Sequence, residues 1–154
     1  MTGGVRGEVI LAFDFGKRRI GVAVGNSGTG TASPAGTVEV HARPDWQGIA
    51  RRLGEWSPAR LLVGVPYNMD GSETLLTREA RAFADELRRR HGLPVELVDE
   101  RLTSVEATAE LRDARRSGAR ARRVRREDVD ANAARLILET WLRSARPTTG
   151  SKEE

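Results

Sequence analysis

Asp14, the pair Asp99-Glu100 and Asp130 are the acids whose placement could support chemistry. Asp14 closes the apolar run Val9 to Phe13, Asp99-Glu100 closes the run Val95 to Val98, and Asp130 lies on the first turn of a C-terminal helical pattern. Positions +3, +4 and +7 from Asp130 are Ala133, Ala134 and Ile137, so its carboxylate faces the apolar side of that helix. An unpaired buried charge is expensive. A divalent cation shared with Asp14 and Glu100 would partner it. Hard Mg²⁺ or Mn²⁺ takes oxygen ligands, and two such ions about 4 Å apart activate water and stabilise the leaving oxygen in phosphodiester hydrolysis. Each acid also has a plainer reading. Asp14 before Gly16 is a turn residue, Asp130 is a helix-start acid favoured by the macrodipole, and Asp99 or Glu100 is a partner of Arg101.

Cations surround these acids in the sequence. Lys17, Arg18 and Arg19 follow Asp14 across a turn that Gly16 permits. Further on, Arg112 to Arg126 holds eight arginines against the single acid Asp113. Within it Arg115, Arg116, Arg120, Arg122, Arg123, Arg125 and Arg126 show no apolar stripe, which predicts a mobile segment that orders on phosphates. The competing reading is a solvated connector whose arginines reflect genome composition.

The elements that must position these residues follow from the pattern. Val9–Phe13 and Ile20–Val24 read as buried strands, and Thr37–Val40 as a third, edge-like one, together an antiparallel meander. Trp46, Ile49, Leu53 and Trp56 mark one face of a helix ended by Pro58. Leu61–Val65 is a strand, Thr74–Arg90 a helix with Leu76, Ala80, Phe83 and Leu87 buried, and Val95–Val98 a fifth strand. Thr103-Ser-Val-Glu106 is a capping box that opens a further helix. The last helix begins near Asp128, with Ala133, Leu136, Ile137 and Trp141 inward. The order β-β-β-α-β-α-β-α-α predicts an α/β fold: one domain over residues 1–143, a mixed five-stranded sheet with helices on both faces, and a polar, disordered tail over 144–154. The loop Tyr67-Asn-Met-Asp-Gly-Ser-Glu73 builds a turn, but it also stands at the strand end where ligands bind, which points Asn68 towards substrate.

With no cysteine there is no disulfide and no thiolate site. No apolar run reaches the roughly 20 residues a membrane span needs, and the apolar stretch before Asp14 is too short for a signal peptide. A cytoplasmic protein that meets no membrane is expected.

The segments LAFDFGKRRIGVAV (Leu11 to Val24), TASPAGTV (Thr31 to Val38), LLVGVPYNMDGSE (Leu61 to Glu73), VDERLTSVEA (Val98 to Ala107) and VDANAARLILETWL (Val129 to Leu142) resemble the YqgF/RuvX family in the family's order. The resemblance implies an RNase H-like fold and assigns catalytic and metal-ligating roles to Asp14, Glu100 and Asp130. It prefers Glu100 over Asp99. It implies nucleic-acid contact by Lys17, Arg18, Arg19, Asn68, Arg101 and the arginine block. Arg19 matches the family. Lys17 stands where a Thr or Glu is common and Arg18 where a Lys is common, so Lys17 adds a cation beside the site. The implied activity is a metal-dependent nuclease that processes the 5′ end of the small-subunit ribosomal RNA precursor, as a monomer or homodimer. Holliday junction resolution is one alternative, and a non-catalytic RNA-binding factor in small-subunit assembly is another. A sugar-kinase or actin-like ATPase would need a longer chain, and no GxxxxGK[ST] loop is present.

Overall fold

The computed structural model describes residues 7–102 and 126–152. The strands are β1 (Val9–Asp14), β2 (Arg19–Asn26), β3 (Thr31–His41), the two-residue β4 (Arg43–Pro44), β5 (Arg60–Val65) and β6 (Val95–Asp99). The described helices are α1 (Trp46–Trp56), α2 (Leu75–His91) and α3 (Arg126–Lys152), with a 3-10 turn over Glu100–Leu102. The sheet order is β4-β3-β2-β1-β5-β6. β1 to β3 form the expected antiparallel meander, and β5 and β6 run parallel to β1. All five expected strands are present, and β4 adds a short sixth at one edge.

The centre of the sheet follows from the sequence of β1. Its backbone is paired on both sides and its side chains alternate between two apolar layers. Leu11 and Phe13 enter the core shared with Ile49, Phe83 and Leu87 of α1 and α2. Ile10 and Ala12 enter the opposite core, shared with Ala134, Ile137 and Leu138 of α3. By this alternation Asp14 falls on the α3 side and Phe15 on the side of α1 and α2.

The helices have identifiable starts. Asp45 caps α1 by accepting from the Gly48 amide at 3.0 Å. Thr74 caps α2 reciprocally with Thr77. Thr77 is fully buried and its hydroxyl also donates to the Pro66 carbonyl, so one side chain ties the start of α2 to the end of β5.

Several expectations are corrected. β3 spans eleven residues rather than the four of Thr37–Val40. An edge strand needs one buried face at most, so its polar first half hid it. Trp56 is 42% exposed at the end of α1 instead of buried. On α3 it is Ala134, not Ala133, that is fully buried, together with Leu136, Ile137, Leu138 and Leu142. The helix continues through Lys152, across residues expected to be a disordered tail. Backbone hydrogen bonding does not require an apolar stripe, so a polar composition is compatible with helix there. The capping box at Thr103, the helix after it, and Arg115, Arg116, Arg120, Arg122, Arg123 and Arg125 lie outside the described residues.

Candidate metal and nucleic-acid site

Asp14 is the last residue of β1, and its Cα partners are Gly21 on β2 and Gly64 on β5. This pair of glycines shapes the site. A Cβ on Gly21 would run into the carbonyl oxygen of Asp130, so its absence lets the first turns of α3 lie directly on β2. A Cβ on Gly64 would meet the Ile137 side chain and stand 2.8 Å from Glu100 Oε2. Glycine inside a strand marks close approach of another backbone or ligand. Here the close approach brings Asp130 from one side and Glu100 from the other.

Glu100 opens the 3-10 turn after β6. Its carboxyl is within hydrogen-bonding reach of Asp14. Burial, then the hydrogen bond and charge of Glu100, then the charge of Asp130 hold the Asp14 carboxyl well above its ordinary value of 3.8. Asp130 Oδ2 accepts from Arg19 Nε at 3.0 Å, with both side chains largely covered. Further along α3, Trp141 Nε1 donates to Glu96 Oε1 at 2.6 Å. The helix that carries Asp130 is therefore pinned at two points.

Asp99 has a separate job. Its carboxylate receives Arg101 Nε at 3.1 Å on each oxygen, Arg101 Nη2 at 2.7 Å and the Arg101 amide at 2.9 Å. These bonds, led by the side-chain bond from Arg101, hold Asp99 below its ordinary value. Arg101 in turn reaches the Met69 carbonyl at 3.3 Å and lies 5.5 Å over the Tyr67 ring. Asp99 and Arg101 thus brace the loop after β5, while Glu100 faces Asp14. Glu100→Gln is expected to remove cleavage, whereas Asp99→Asn, which keeps an acceptor for Arg101 and lies outside the proposed ligand set, is expected to lower it by less than about tenfold, a barrier change under about 1.4 kcal/mol. Cleavage rates of the two variants, side by side, check this ordering.

The loop itself is internally bonded. Asn68 exchanges backbone bonds with Ser72 and Gly71, and its Nδ2 donates to Ser72 Oγ at 2.9 Å. Ser72 donates from both its amide and its hydroxyl to Asp70 Oδ1. Asn68 is thus a loop builder at the strand end, and the structure joins its amide nitrogen to Ser72. Lys17 and Arg18 are exposed and Arg19 is mostly covered.

Three acidic oxygen donors gathered at one sheet end, with Glu100 and Asp130 raising the cost of the Asp14 charge, suit a hard divalent ion that would offset their mutual repulsion. Among the described residues no three acidic or imidazole side chains stand in a finished metal cage, and the Asp130 carboxylate is engaged with Arg19. The roles of Gly21, Gly64 and Arg19 in gathering the acids escaped the sequence reading. The signal was available for the glycines alone, each an isolated Gly within a strongly apolar strand.

The family described as RuvX, Holliday junction resolvase, matches residues 8–144. A relative from Nitrosococcus oceani, named "putative pre-16S rRNA nuclease", is 47% identical over 137 residues, 88% of this chain and 86% of the relative. One of the same name from Actinobacillus pleuropneumoniae serotype 5b is 48% identical over 136 residues, 88% of this chain and 96% of the relative. Among solved structures, the yeast mitochondrial Holliday junction resolvase Ydc2 superposes with a TM-score of 0.57 at 10% identity, covering 99% of this chain and 85% of that one. Thermus thermophilus RuvC in complex with a Holliday junction gives 0.51 at 14% identity, covering 90% of this chain and 97% of that one. At such identities the last two show the fold, which is RNase H-like.

Proposed function

The chain belongs to the RuvX Holliday junction resolvase family, and from that premise we propose that it is a metal-dependent endonuclease that trims the 5′ end of pre-16S ribosomal RNA in the cytoplasm. The observation that carries this reading is the meeting of Asp14 and Glu100 over Gly64, with Asp130 beside them over Gly21. The relatives' shared name supplies the substrate.

In this reading Asp14, Glu100 and Asp130 hold Mg²⁺ or Mn²⁺. A bound ion supplies an activated water and charge stabilisation at the phosphate oxygens. The chain's own residues set the geometry. Rigid β1 fixes Asp14, the turn after β6 swings Glu100 onto it, and Arg19 holds Asp130 against the sheet. Exposed Lys17 and Arg18 lie on the approach and attract the phosphate backbone. Among the described residues no helix is long and apolar enough to cross a membrane.

Cleavage of a labelled precursor-rRNA fragment beside a four-way DNA junction, in Mg²⁺, Mn²⁺ or EDTA, tests the proposal. Cleavage of the RNA with either metal and none in EDTA supports it. Preferred cleavage of the junction supports the resolvase activity that the family description names. Binding of RNA with no cleavage under any condition leaves a non-catalytic assembly factor.

The arginine block makes a separate prediction. Each phosphate contact contributes roughly 0.7 to 0.9 to the slope of log affinity against log salt. Neutralising Arg120, Arg122 and Arg123 together is expected to flatten that slope by about 2 to 3 units and to weaken binding across sequences alike. A fluorescence-anisotropy salt titration reads it. An unchanged slope marks the block as a connector.

A further inference from the structure

On the face of the sheet opposite the acids, a groove of about 580 Å³ runs between the end of β1, the start of α1 and the flank of α2. It begins one residue from Asp14, at Phe15. Its floor is a run of stacked rings. Phe15 lies 5.2 Å from Phe83, and Trp46 stacks on Phe83 at 5.4 Å with 25° between planes. Phe83 is core, whereas Phe15 and Trp46 are only partly buried and reach the groove. The Arg90 guanidinium lies 4.3 Å over the Trp46 ring, held there by Glu86 Oε2 at 2.8 Å. Lys17 and Arg43 stand at the mouth, and neither is in an ion pair among the described residues. Two acids also line the groove. Glu86 is engaged with Arg89 and Arg90, and Glu79 stands on the α2 side, away from Lys17 and Arg43 in the chain.

We propose that this groove is a subsite for an unpaired nucleotide of the substrate, its base stacked on the outer plane of the Arg90 guanidinium that Trp46 supports and against Phe15, and its phosphates paired with Lys17 and Arg43. Aromatic rings and guanidinium planes stack any base, and adjacent unpaired cations track the backbone; together they are the chemistry of single-strand recognition. The size is that of one nucleotide rather than a duplex. The position matters as well. Lys17 is three residues from Asp14, so a strand whose phosphates pass Lys17 reaches the acids round the end of β1 while its next base is drawn to the opposite face. The subsite would thereby select a single-stranded segment beside the scissile bond. It rests on the nucleic-acid reading above.

The test is binding in EDTA, where no cleavage is needed. The probe is an unstructured RNA of about 12 nucleotides, within the span such grooves occupy, compared with a blunt hairpin of equal charge. Trp46→Leu, which removes the ring that holds the Arg90 plane in place, is expected to weaken the single strand about 5- to 150-fold, the range that one lost base stack gives, with the hairpin unchanged. Arg43→Gln, on an exposed side chain that leaves the ring stack intact, is expected to weaken it several-fold and guards against misfolding of the first variant. A 4-thiouridine version of the probe is expected to crosslink to peptides holding Phe15 or Trp46. Folded variants that bind the single strand like wild type, or crosslinks that map elsewhere, overturn the subsite. Full cleavage with unaltered single-strand binding in the variants sinks the subsite alone. Groove-dependent binding with no cleavage in any metal sinks the nuclease reading alone.

Discussion

Asp14→Asn is expected to abolish metal-dependent cleavage and, in EDTA, to raise the melting temperature. The two effects come from one charge. A ligand carboxylate supplies several kcal/mol of transition-state stabilisation through its ion; a loss of about 3 to 4 kcal/mol lowers the rate roughly 10²- to 10³-fold. Without metal the same carboxylate is a liability. Burial and the neighbouring Glu100 and Asp130 push its proton affinity up, so the folded state binds the proton more tightly than the unfolded chain. Folding stability then falls as pH rises from the unfolded value, near 3.8, to the higher folded value, and the loss stays in place above it. Asn carries no charge and so removes this slope, and its amide is able to donate to the Glu100 carboxylate. The melting curve of wild type minus variant, taken in EDTA across that window, isolates the effect from other carboxylates such as Asp99, whose shift has the opposite sign. Added Mg²⁺ is expected to stabilise wild type by binding the native state alone and to leave the variant unmoved. A variant that melts at or below wild type in EDTA, or that still cleaves, refutes the assignment of Asp14.

Part of this arrangement was legible in the sequence because it is local. The apolar run ending at Asp14 reads as a central strand, and the spacing of Ala133, Ala134 and Ile137 from Asp130 puts the acid on the apolar side of α3, where Ala134 and Ile137 are buried. The choice between Asp99 and Glu100 was not local. Adjacent residues at a strand end point in opposite directions, and either direction was open until Arg101 was seen to claim Asp99. The Arg19–Asp130 pair joins residues 111 apart, with nothing near either one to announce the other. β3 was read short because edge strands carry polar residues that turns also favour. Trp56 shares the helical spacing of Ile49 and Leu53 but is the last residue of α1 and remains exposed.

The two glycines facing Asp14 turn this comparison into a graded experiment. Gly21→Ala is expected to destabilise the protein by about 2 to 3 kcal/mol, the cost of forcing extra volume into a packed interior, which at this chain length lowers the melting temperature by about 4 to 12 °C. The obstacle is backbone: the added Cβ would collide with the Asp130 carbonyl and its peptide neighbours, and a helix pinned by Arg19 and Trp141 cannot shift to make room. Strand propensity alone predicts the opposite sign, since glycine weakens strands. Gly64→Ala meets side chains rather than backbone, the Ile137 Cδ1 and the Oε2 and Cγ of Glu100. Those can turn aside, so its melting temperature falls less, but Glu100 is pushed off Asp14 and cleavage falls with it. Gly54→Ala is the control. Nothing lies within 4 Å of its Cβ position on α1, and replacing a helical glycine there is expected to stabilise by about 0.5 to 1 kcal/mol. The ordering Gly54→Ala above wild type, then Gly64→Ala, then Gly21→Ala lowest is the expected result. A Gly21→Ala protein that melts with wild type and cleaves at its rate would show that α3 does not bear on β2 at Asp130, and the geometry that gathers the three acids would fall with it.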